Sequence, residues 1–314
     1  MPPEPLRISA VIPTYNRGTL VSRAVRSALE QSRPPDELIV VDDGSSDDTA
    51  ERLEPYRDRI RYVRQANAGG SAARNRGVAD AVHPWVAFLD SDDYWRPRHL
   101  ERMDAAIGAT GGAARFYFGD TLGSASEGGR PFWELAGLSV AGTHELAPDG
   151  SDWVMRAVQP MMLQSTVFRR RDYLAVRGLS ERVVLRHDTL LFLQLGLGRP
   201  ACAVTGCGAV MTADDDTPVR LTTSHNEHTP RYWEDTVLLY QAALRVPEPL
   251  SAAHGRQLRR RLAMGRLRLA RQSFADGRHG RGVAQLARGA LTSPSLVADR
   301  VGRRLSPRAP RTPS

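Results

Sequence analysis

The stretch DELIVVDDGSSDDTAERLEPY, residues 36–56, contains the pattern that decides the fold. It begins with an apolar, β-branched run at residues 38–41, which is typical of a strand buried on both faces. An Asp/Gly/Ser turn follows, and then a short helical pattern whose first turn Asp47 or Asp48 can cap. The stretch therefore predicts a buried strand, a turn and a helix in direct succession.

The same succession occurs on both sides of this stretch. The segment LRISAVIP (6–13) precedes the helical pattern TLVSRAVRSALEQS (19–32), and IRYVRQ (60–65) precedes NAGGSAARNRGVADAV (67–82). A fourth strand is predicted at WVAFLD (85–90). Strands that alternate with helices at this spacing indicate an α/β fold, with a Rossmann-like, mostly parallel sheet flanked by helices.

The pattern is less regular between about 100 and 165, around a strand at ARFYFGD (114–120), and becomes regular again up to residue 212. There we predict a strand, a helix and two further strands: STVFRR (165–170), HDTLLFLQLGL (187–197), ACAVTG (201–206) and GAVMT (208–212). The remaining sequence predicts an amphipathic helix at 231–246, a basic helical hairpin at 251–295 and a disordered tail at 296–314.

The composition is that of an ordinary globular protein. The chain has 314 residues, of which 41% are apolar and 25% are charged. No apolar run approaches the roughly 20 residues that cross a bilayer, and the start, MPPEPLRISA, lacks the layout of a signal peptide. We therefore expect a cytoplasmic protein. The two cysteines, Cys202 and Cys207, are predicted to be buried reduced thiols, since they are too few for a zinc site or a disulfide framework.

Positive charge is concentrated at the C-terminal end. Residues 251–314 hold fifteen arginines against Asp276 and Asp299, a net charge of +13, so the first 250 residues carry −5 of the total of +8. The arginines of the hairpin either lie in water or rest on anionic lipid at the inner face of the membrane. Nucleic acid is the weaker alternative, because no aromatic or groove-reading motif accompanies the charge.

Polar residues follow each of the first four predicted strands. They are PTYN, DDGSSDD, NAGG and DSDD, in chain order. In an open α/β sheet, ligands bind at the carboxyl ends of the strands. The sequence therefore predicts a binding site at one edge of the sheet.

Three of these segments offer groups for a phosphorylated, metal-bound ligand. Asp90 and Asp92 can share one divalent cation, Mn²⁺ or Mg²⁺, although a solvated turn is the alternative. Asp42 or Asp43 can accept from a nucleobase, or can simply shape a turn. The Gly-Gly turn and Arg74 suit phosphate oxygens. Neither G-x-G-x-x-G nor a Walker loop occurs, which disfavours nicotinamide enzymes and P-loop ATPases.

The ordered motifs VIPTYNR, VVDDGSSDDT, NAGGSAARNRG and FLDSDD resemble the nucleotide-binding half of glycosyltransferase family 2, which has the GT-A fold. The resemblance is strong over residues 7–100 and weaker to about 215. It implies a GT-A domain over 1–250, with a nucleotide-binding half at about 5–100 and an acceptor half at 101–250. The implied donor is a nucleoside-diphosphate sugar, with a UDP-sugar favoured. The residues implied around it are Pro13, Tyr15, Asp42, Asp43 and Asn67 for the nucleoside, Gly70 and Arg74 for the diphosphate, and Asp90, Ser91 and Asp92 for ribose and metal.

In this family, the C-terminal half of the domain usually supplies a general base from a Glu-Asp pair at the start of a helix. The segment RGLSERVVLRHDTLLFLQLGL (177–197) has that outline, which places Asp188 at the position of the base and His187 where Glu is more usual. The alternative for Asp188 is a helix N-cap. Enzymes of this fold also bring a late histidine to the metal or diphosphate, which makes His225 a candidate ligand.

The resemblance thus implies an inverting transferase. The lack of an apolar run long enough to span a membrane disfavours a processive synthase and favours transfer of one sugar to a glycan, a lipid-linked glycan or a small metabolite. Two other classes remain open. A nucleotidyltransferase acting on a sugar phosphate uses a similar sheet and Asp pair, but its glycine- and lysine-rich N-terminal loop is missing here. A non-catalytic scaffold at a membrane surface accounts for the basic C-terminal region alone.

Overall fold

The structure is a computed structural model that describes residues 6–124, 128–212 and 229–296. The chain divides into two compact units, Met1–Pro218 and Val219–Ser314. The boundary lies before the amphipathic helix predicted at 231–246, so this helix lies in the second unit.

The N-terminal half of the first unit alternates strands and helices as the periodicity predicts. Its elements are β1 (Ile8–Thr14), α1 (Gly18–Leu29), β2 (Glu37–Asp42), α2 (Thr49–Leu53), β3 (Arg61–Arg64), α3 (Gly70–Asp80) and β4 (Trp85–Phe88). These strands lie in the order β3-β2-β1-β4, and each pairs with its neighbour in parallel. Asp48 occupies the N-cap position of α2 without a side-chain capping bond, whereas Oδ1 of Asp47, one residue earlier, accepts from the N–H of Thr49 at 3.1 Å. Because the four strands are parallel, their carboxyl ends all lie at one edge of the sheet.

The C-terminal half of the first unit completes a mixed sheet. Its elements are β5 (Tyr94–Trp95), α4 (His99–Ala109), β6 (Phe116–Leu122), α5 (Phe132–Ala136), β7 (His144–Ala147), α6 (Ser151–Val154), β8 (Thr166–Arg169), α7 (Arg170–Ala175), α8 (His187–Gly196) and β9 (Ala201–Val210). The order continues β4-β8-β6-β9-β5, and β7 also pairs with β9. Only β6 and β9 are parallel among these pairs within the described residues.

Three features of this half differ from the sequence prediction. The segments predicted as two strands at 201–206 and 208–212 form one strand, β9, because an irregularity around Gly206, whose φ is +92°, lets pairing continue. The short strands β5 and β7 are too brief to give a periodic pattern. Helix α4 was also missed, although its buried residues Leu100, Met103 and Ile107 have helical spacing.

An aromatic core attaches α8 to the sheet. The ring of Phe192 in α8 lies 5.7 Å from that of Phe168 in β8 and 5.5 Å from that of Phe116 in β6, between centroids. All three side chains are completely buried. Burial of side chains this large is worth about 1.5–3 kcal/mol each, so these contacts hold α8 against β6 and β8.

The second unit contains three helices among its described residues: α9 (Pro230–Ala243), α10 (Ala252–Ala275) and α11 (His279–Thr292). Thr229 caps α9, Ser251 caps α10, and Gly277, with φ of +73°, allows the turn between α10 and α11. Leu296 is buried, and the remainder of the predicted tail lies outside the described residues. In the described part of the chain, no helix combines the length and the apolar character that a membrane span requires.

Two buried titratable groups of the first unit, Cys202 and His99, are neutral near pH 7. Cys202 is a buried free thiol, as predicted, and burial raises its pKa to about 12; the side chain of Cys207 lies outside the described residues. His99 at the start of α4 is buried beside Trp95, and its Nε2 has no hydrogen-bond partner among the described residues. Burial, with Arg102 nearby, lowers the pKa of His99 to about 3.

The segment that leads to α8 is tied to α3 by Asn75. The amide Nδ2 of Asn75 donates to the carbonyl of Leu179 at 2.9 Å, and its Oδ1 accepts from the N–H of Leu179 at 2.9 Å. The hydroxyl of Tyr173 donates to the same Oδ1 at 2.7 Å. Gly178 makes this approach feasible: its φ is +66°, and a Cβ there would lie 2.4 Å from Asn75 Oδ1 and 2.6 Å from the Tyr173 ring.

The His99 environment predicts a pH dependence of stability. A histidine with a lowered pKa in the folded state stays neutral there, while the same histidine in the unfolded chain binds a proton below about pH 6.5. Protonation then favours the unfolded state. Stability should therefore be complete above pH 6.5 and fall as the pH drops from 6.5 towards 3, by up to about 1.4 kcal/mol per pH unit. Urea unfolding between pH 6.5 and 4 should show a smaller slope in His99→Gln than in wild type. His144→Gln, on the half-buried strand β7, is the control; equal slopes in all three proteins would contradict the prediction.

The contact at Gly178 predicts a steric cost of substitution. Gly142 also has a positive φ, +76°, but nothing lies within 4 Å of where its Cβ would be. Gly142→Ala therefore measures backbone strain alone, about 1 kcal/mol. Gly178→Ala adds overlap with Asn75 and Tyr173, so urea unfolding should show about 1–3 kcal/mol more destabilisation than in Gly142→Ala. Similar losses in the two variants would show that the tie to α3 is loose.

Candidate active site

Asp42 fixes the turn after β2. Its Oδ1 accepts from the N–H of Ser45 at 2.8 Å, and its Oδ2 accepts from the hydroxyl of Tyr62 at 2.5 Å. The side chain is fully buried. Burial and the bond to Asp42 together raise the pKa of Tyr62 to about 12. Asp42 therefore joins β2 to β3 from inside the sheet edge.

Asp43 fixes the loop that leads into α3. Its Oδ1 accepts from Gln65 Nε2 at 2.8 Å and from the N–H of Ala68 at 2.9 Å, and its Oδ2 accepts from the N–H of Gly69 at 2.7 Å. Gly44 permits the close approach, because its φ is +85° and a Cβ there would lie 3.0 Å from the backbone nitrogen of Asn67. The loop with Asn67 is thereby held against the end of β2.

The end of β1 presents an aromatic ring beside these loops. Tyr15 follows the strand directly and is 47% exposed, and Asn67 is also exposed, whereas Pro13 is buried within β1. Asn16 joins the β1 and β2 loops, since its Oδ1 accepts from the N–H of Ser46 at 2.8 Å. Sequence reasoning did not select Thr14, whose buried Oγ1 has no partner among the described residues.

Arg74 of α3 contacts the aspartate motif after β4. Its Nη1 donates to the carbonyl of Gly70 at 3.2 Å, and its Nη2 forms an ion pair with Asp90. Its Nε is buried and has no acceptor among the described residues. Burial opposes the charge of the guanidinium, but Asp90 outweighs it and raises the pKa of Arg74. The structure thus brings together the arginine and the aspartate that the sequence placed in separate motifs.

The aspartates after β4 form a cluster of carboxylates. One oxygen from each of Asp90, Asp92 and Asp93 lies within 4.8 Å of the others, while Ser91 between them is buried. Asp93, which sequence reasoning did not assign to the metal, is buried, and its Oδ1 accepts from the N–H of Thr212 at 3.2 Å. Clustered carboxylate oxygens are the ligands that Mg²⁺ and Mn²⁺ prefer, so this donor set fits a hard divalent cation.

Arg23 of α1 holds this cluster in place. Its Nη2 donates to the carbonyl of Asp92 at 2.7 Å and to the hydroxyl of Thr212 at 2.7 Å. The Thr212 hydroxyl also donates to the carbonyl of Asp92. No local motif could have identified Arg23, because it is separated from Asp92 by 69 positions and belongs to an ordinary amphipathic helix.

Asp188 lies in the first turn of α8 and is half-buried. Its Oδ1 accepts from the N–H of Thr189 at 2.6 Å, and no described residue donates to its Oδ2. The N-cap position belongs to Arg186, so Asp188 is not the N-cap residue. His187 Nδ1 lies 2.8 Å from the carbonyl oxygen of Val184. His225 lies outside the described residues.

Sequence comparison finds relatives for the N-terminal part of the first unit. Residues 9–125 match the profile of Glycosyl transferase family 2. The putative teichuronic acid biosynthesis glycosyltransferase TuaG of Bacillus subtilis is 40% identical over 100 residues, which are 31% of this chain and 40% of that protein. An uncharacterized glycosyltransferase of Nostoc is 40% identical over 102 residues, 31% of this chain and 32% of that protein. The chain therefore spans less than half the length of these relatives.

Solved structures show the same fold over most of the chain. TarS 1–349 of S. aureus, in complex with UDP-GlcNAc, matches with a TM-score of 0.65 and 20% identity over 94% of this chain and 83% of that chain. The mannosyltransferase PcManGT of Pyrobaculum calidifontis, in complex with GDP-Man and Mn²⁺, matches with a TM-score of 0.55 and 17% identity over 96% and 81%. The chain therefore has the GT-A fold, and residues 9–125 of it are similar to glycosyltransferase family 2.

Proposed function

We propose that this chain is an inverting glycosyltransferase that moves one sugar from a nucleoside-diphosphate sugar to an acceptor hydroxyl. The observation that carries the proposal is the pairing of Arg74 with the Asp90, Asp92 and Asp93 cluster at the carboxyl edge of the parallel strands. A diphosphate needs both a cation site and a hydrogen-bond donor, and this edge supplies both within one ion pair.

The nucleoside would bind between the ends of β1, β2 and β3. Tyr15 offers an exposed ring and Asn67 an exposed amide. A carboxylate has about four acceptor positions, and Asp43 uses three of them on the loop before α3. We assign the remaining one to a nucleobase N–H and give buried Asp42 a structural role. A UDP-sugar is the first candidate donor, because a structural relative is described with UDP-GlcNAc.

The diphosphate would lie over the start of α3. The buried Nε of Arg74, which lacks an acceptor among the described residues, suits a phosphate oxygen. Asp90 and Asp92 would hold Mn²⁺ or Mg²⁺, and PcManGT is described with Mn²⁺. When bound, the cation offsets negative charge on the diphosphate that leaves. Arg23 fixes the backbone of Asp92 for this purpose.

Asp188 would serve as the general base. The acceptor oxygen forms a bond to the anomeric carbon, the bond from that carbon to the phosphate oxygen breaks with its electron pair, and the acceptor proton passes to the Asp188 carboxylate. Its Oδ2 accepts from no described residue and is thus available for a hydroxyl. The acceptor is a glycan, a lipid-linked glycan or a small metabolite.

Substituting Asp188 should separate catalysis from donor binding. Asp188→Asn removes the proton acceptor while preserving the shape, so the transfer rate should fall about 100-fold or more with unchanged donor affinity. Asp152→Asn is the matched control, since Asp152 is exposed in the first turn of α6. The measurement is release of nucleoside diphosphate in the presence of acceptor. Full activity in Asp188→Asn would remove it from the mechanism, and release of pyrophosphate would indicate a nucleotidyltransferase.

Donor binding should depend on the carboxylate cluster. A thermal-shift panel of UDP-, GDP- and dTDP-sugars with and without Mn²⁺ should give one metal-dependent stabilisation, about 2.7 kcal/mol at a hundredfold excess over Kd. Asp92→Ala should lose this shift, whereas Asp58→Ala, at an exposed position, should retain it. The absence of any shift in wild type would contradict the proposed function.

A further inference from the structure

Helix α11 packs against α10 through glycine residues. A Cβ at Gly282 would lie 2.7 Å from the ring of Phe274, and one at Gly289 would lie 3.6 Å from the carbonyl oxygen of Ala263. Both glycines are buried. The contact face of α11 is therefore made by its smallest residues.

The large apolar residues of α11 lie on a different face and are exposed. Val283 is 58% exposed, Leu286 is 40% exposed and Leu291 is 85% exposed. At 100° per residue, these three positions, with Ala287 and Ala290, fall within one continuous arc. A helix that buries its glycines and exposes its leucines has an apolar face left for another surface.

Arginines accompany this face. Residues 229–296 contain twelve arginines and four acidic residues, a formal charge of +8. Helical periodicity places Arg260 and Arg271 of α10 on the side of the α10–α11 pair that Val283 and Leu286 share. The opposite side carries Arg281, which forms an ion pair with Glu234 of α9 at 2.5 Å. The exposed arginines thus border the apolar arc.

We propose that this face, formed by Val283, Leu286, Leu291, Arg260 and Arg271, binds the surface of an anionic lipid bilayer. Apolar side chains enter the boundary between headgroups and acyl chains, while the arginines contact lipid phosphates. The charge of the unit argues for an anionic surface, because an ordinary apolar interface between two copies is depleted of charge and would place these arginines close to one another. Binding to lipid does not depend on the proposed transferase activity.

The test is co-sedimentation of the full chain with vesicles of phosphatidylcholine alone or with 30% phosphatidylglycerol. Wild type should partition onto the anionic vesicles at least about tenfold better than onto neutral ones. Val283→Ser/Leu291→Ser should reduce that partitioning about tenfold, and Arg260→Gln/Arg271→Gln should reduce it by a similar factor. The matched controls are Val82→Ser/Leu174→Ser and Arg59→Gln/Arg130→Gln, at exposed positions of the first unit, which should change it less than twofold.

Two results would overturn the proposal. The first is equal partitioning of wild type and Val283→Ser/Leu291→Ser onto anionic vesicles, which would place lipid contact elsewhere. The second is a wild-type dimer in light scattering that becomes monomeric in Val283→Ser/Leu291→Ser, with no sedimentation on vesicles, which would make a second copy the occupant. Circular dichroism of each variant confirms that the helices are retained.

Discussion

The organisation of the site depends on the hydrogen bonds that the Asp43 carboxylate accepts at the end of β2. Three donors between Gln65 and Gly69 converge on this one group, so the chain after β3 must turn back along the sheet edge before α3 begins. That turn determines where α3 starts, and therefore where Arg74 lies. Arg74 in turn contacts Asp90 at the end of β4. The buried Asp43 carboxylate thus helps to set the relative positions of the ends of β2, β3 and β4.

Much of this arrangement could be predicted because parallel strands impose it. Alternation of apolar strands and helices up to residue 90 implies a common carboxyl edge, and the motifs with Asp43, Arg74 and Asp90 lie there. The alternation of strands and helices is enough to predict that these motifs lie close together at that edge. The second half was harder to predict, since β5 and β7 are too short to show a period and β9 continues through an irregularity.

Contacts over long sequence distances could not be predicted. Arg23 supports Asp92, and Asn75 holds Leu179, through hydrogen bonds that join segments 69 and 104 positions apart. Neither residue differs in type from a helical surface residue. The orientation of α11 was similarly hidden, because an amphipathic pattern predicts burial of the large apolar residues, whereas packing shows that Gly282 and Gly289 are buried instead. Sequence patterns indicate local structure, whereas such partners depend on the assembled sheet.

Charge balance at the cluster couples the two proposed ligands. Asp90, Asp92 and Asp93 with Arg74 carry a formal charge of −2 when all are ionised, so a diphosphate alone would meet net repulsion. A divalent cation would neutralise the four side chains and would supply positive charge for the phosphate oxygens, while Arg74 keeps a donor at Nε that has no acceptor among the described residues. Because coupling between two ligands is reciprocal, a cation that tightens donor binding is tightened by the donor to the same extent. Under the proposed function, the carboxylates that call for the cation would therefore also make donor binding depend on it.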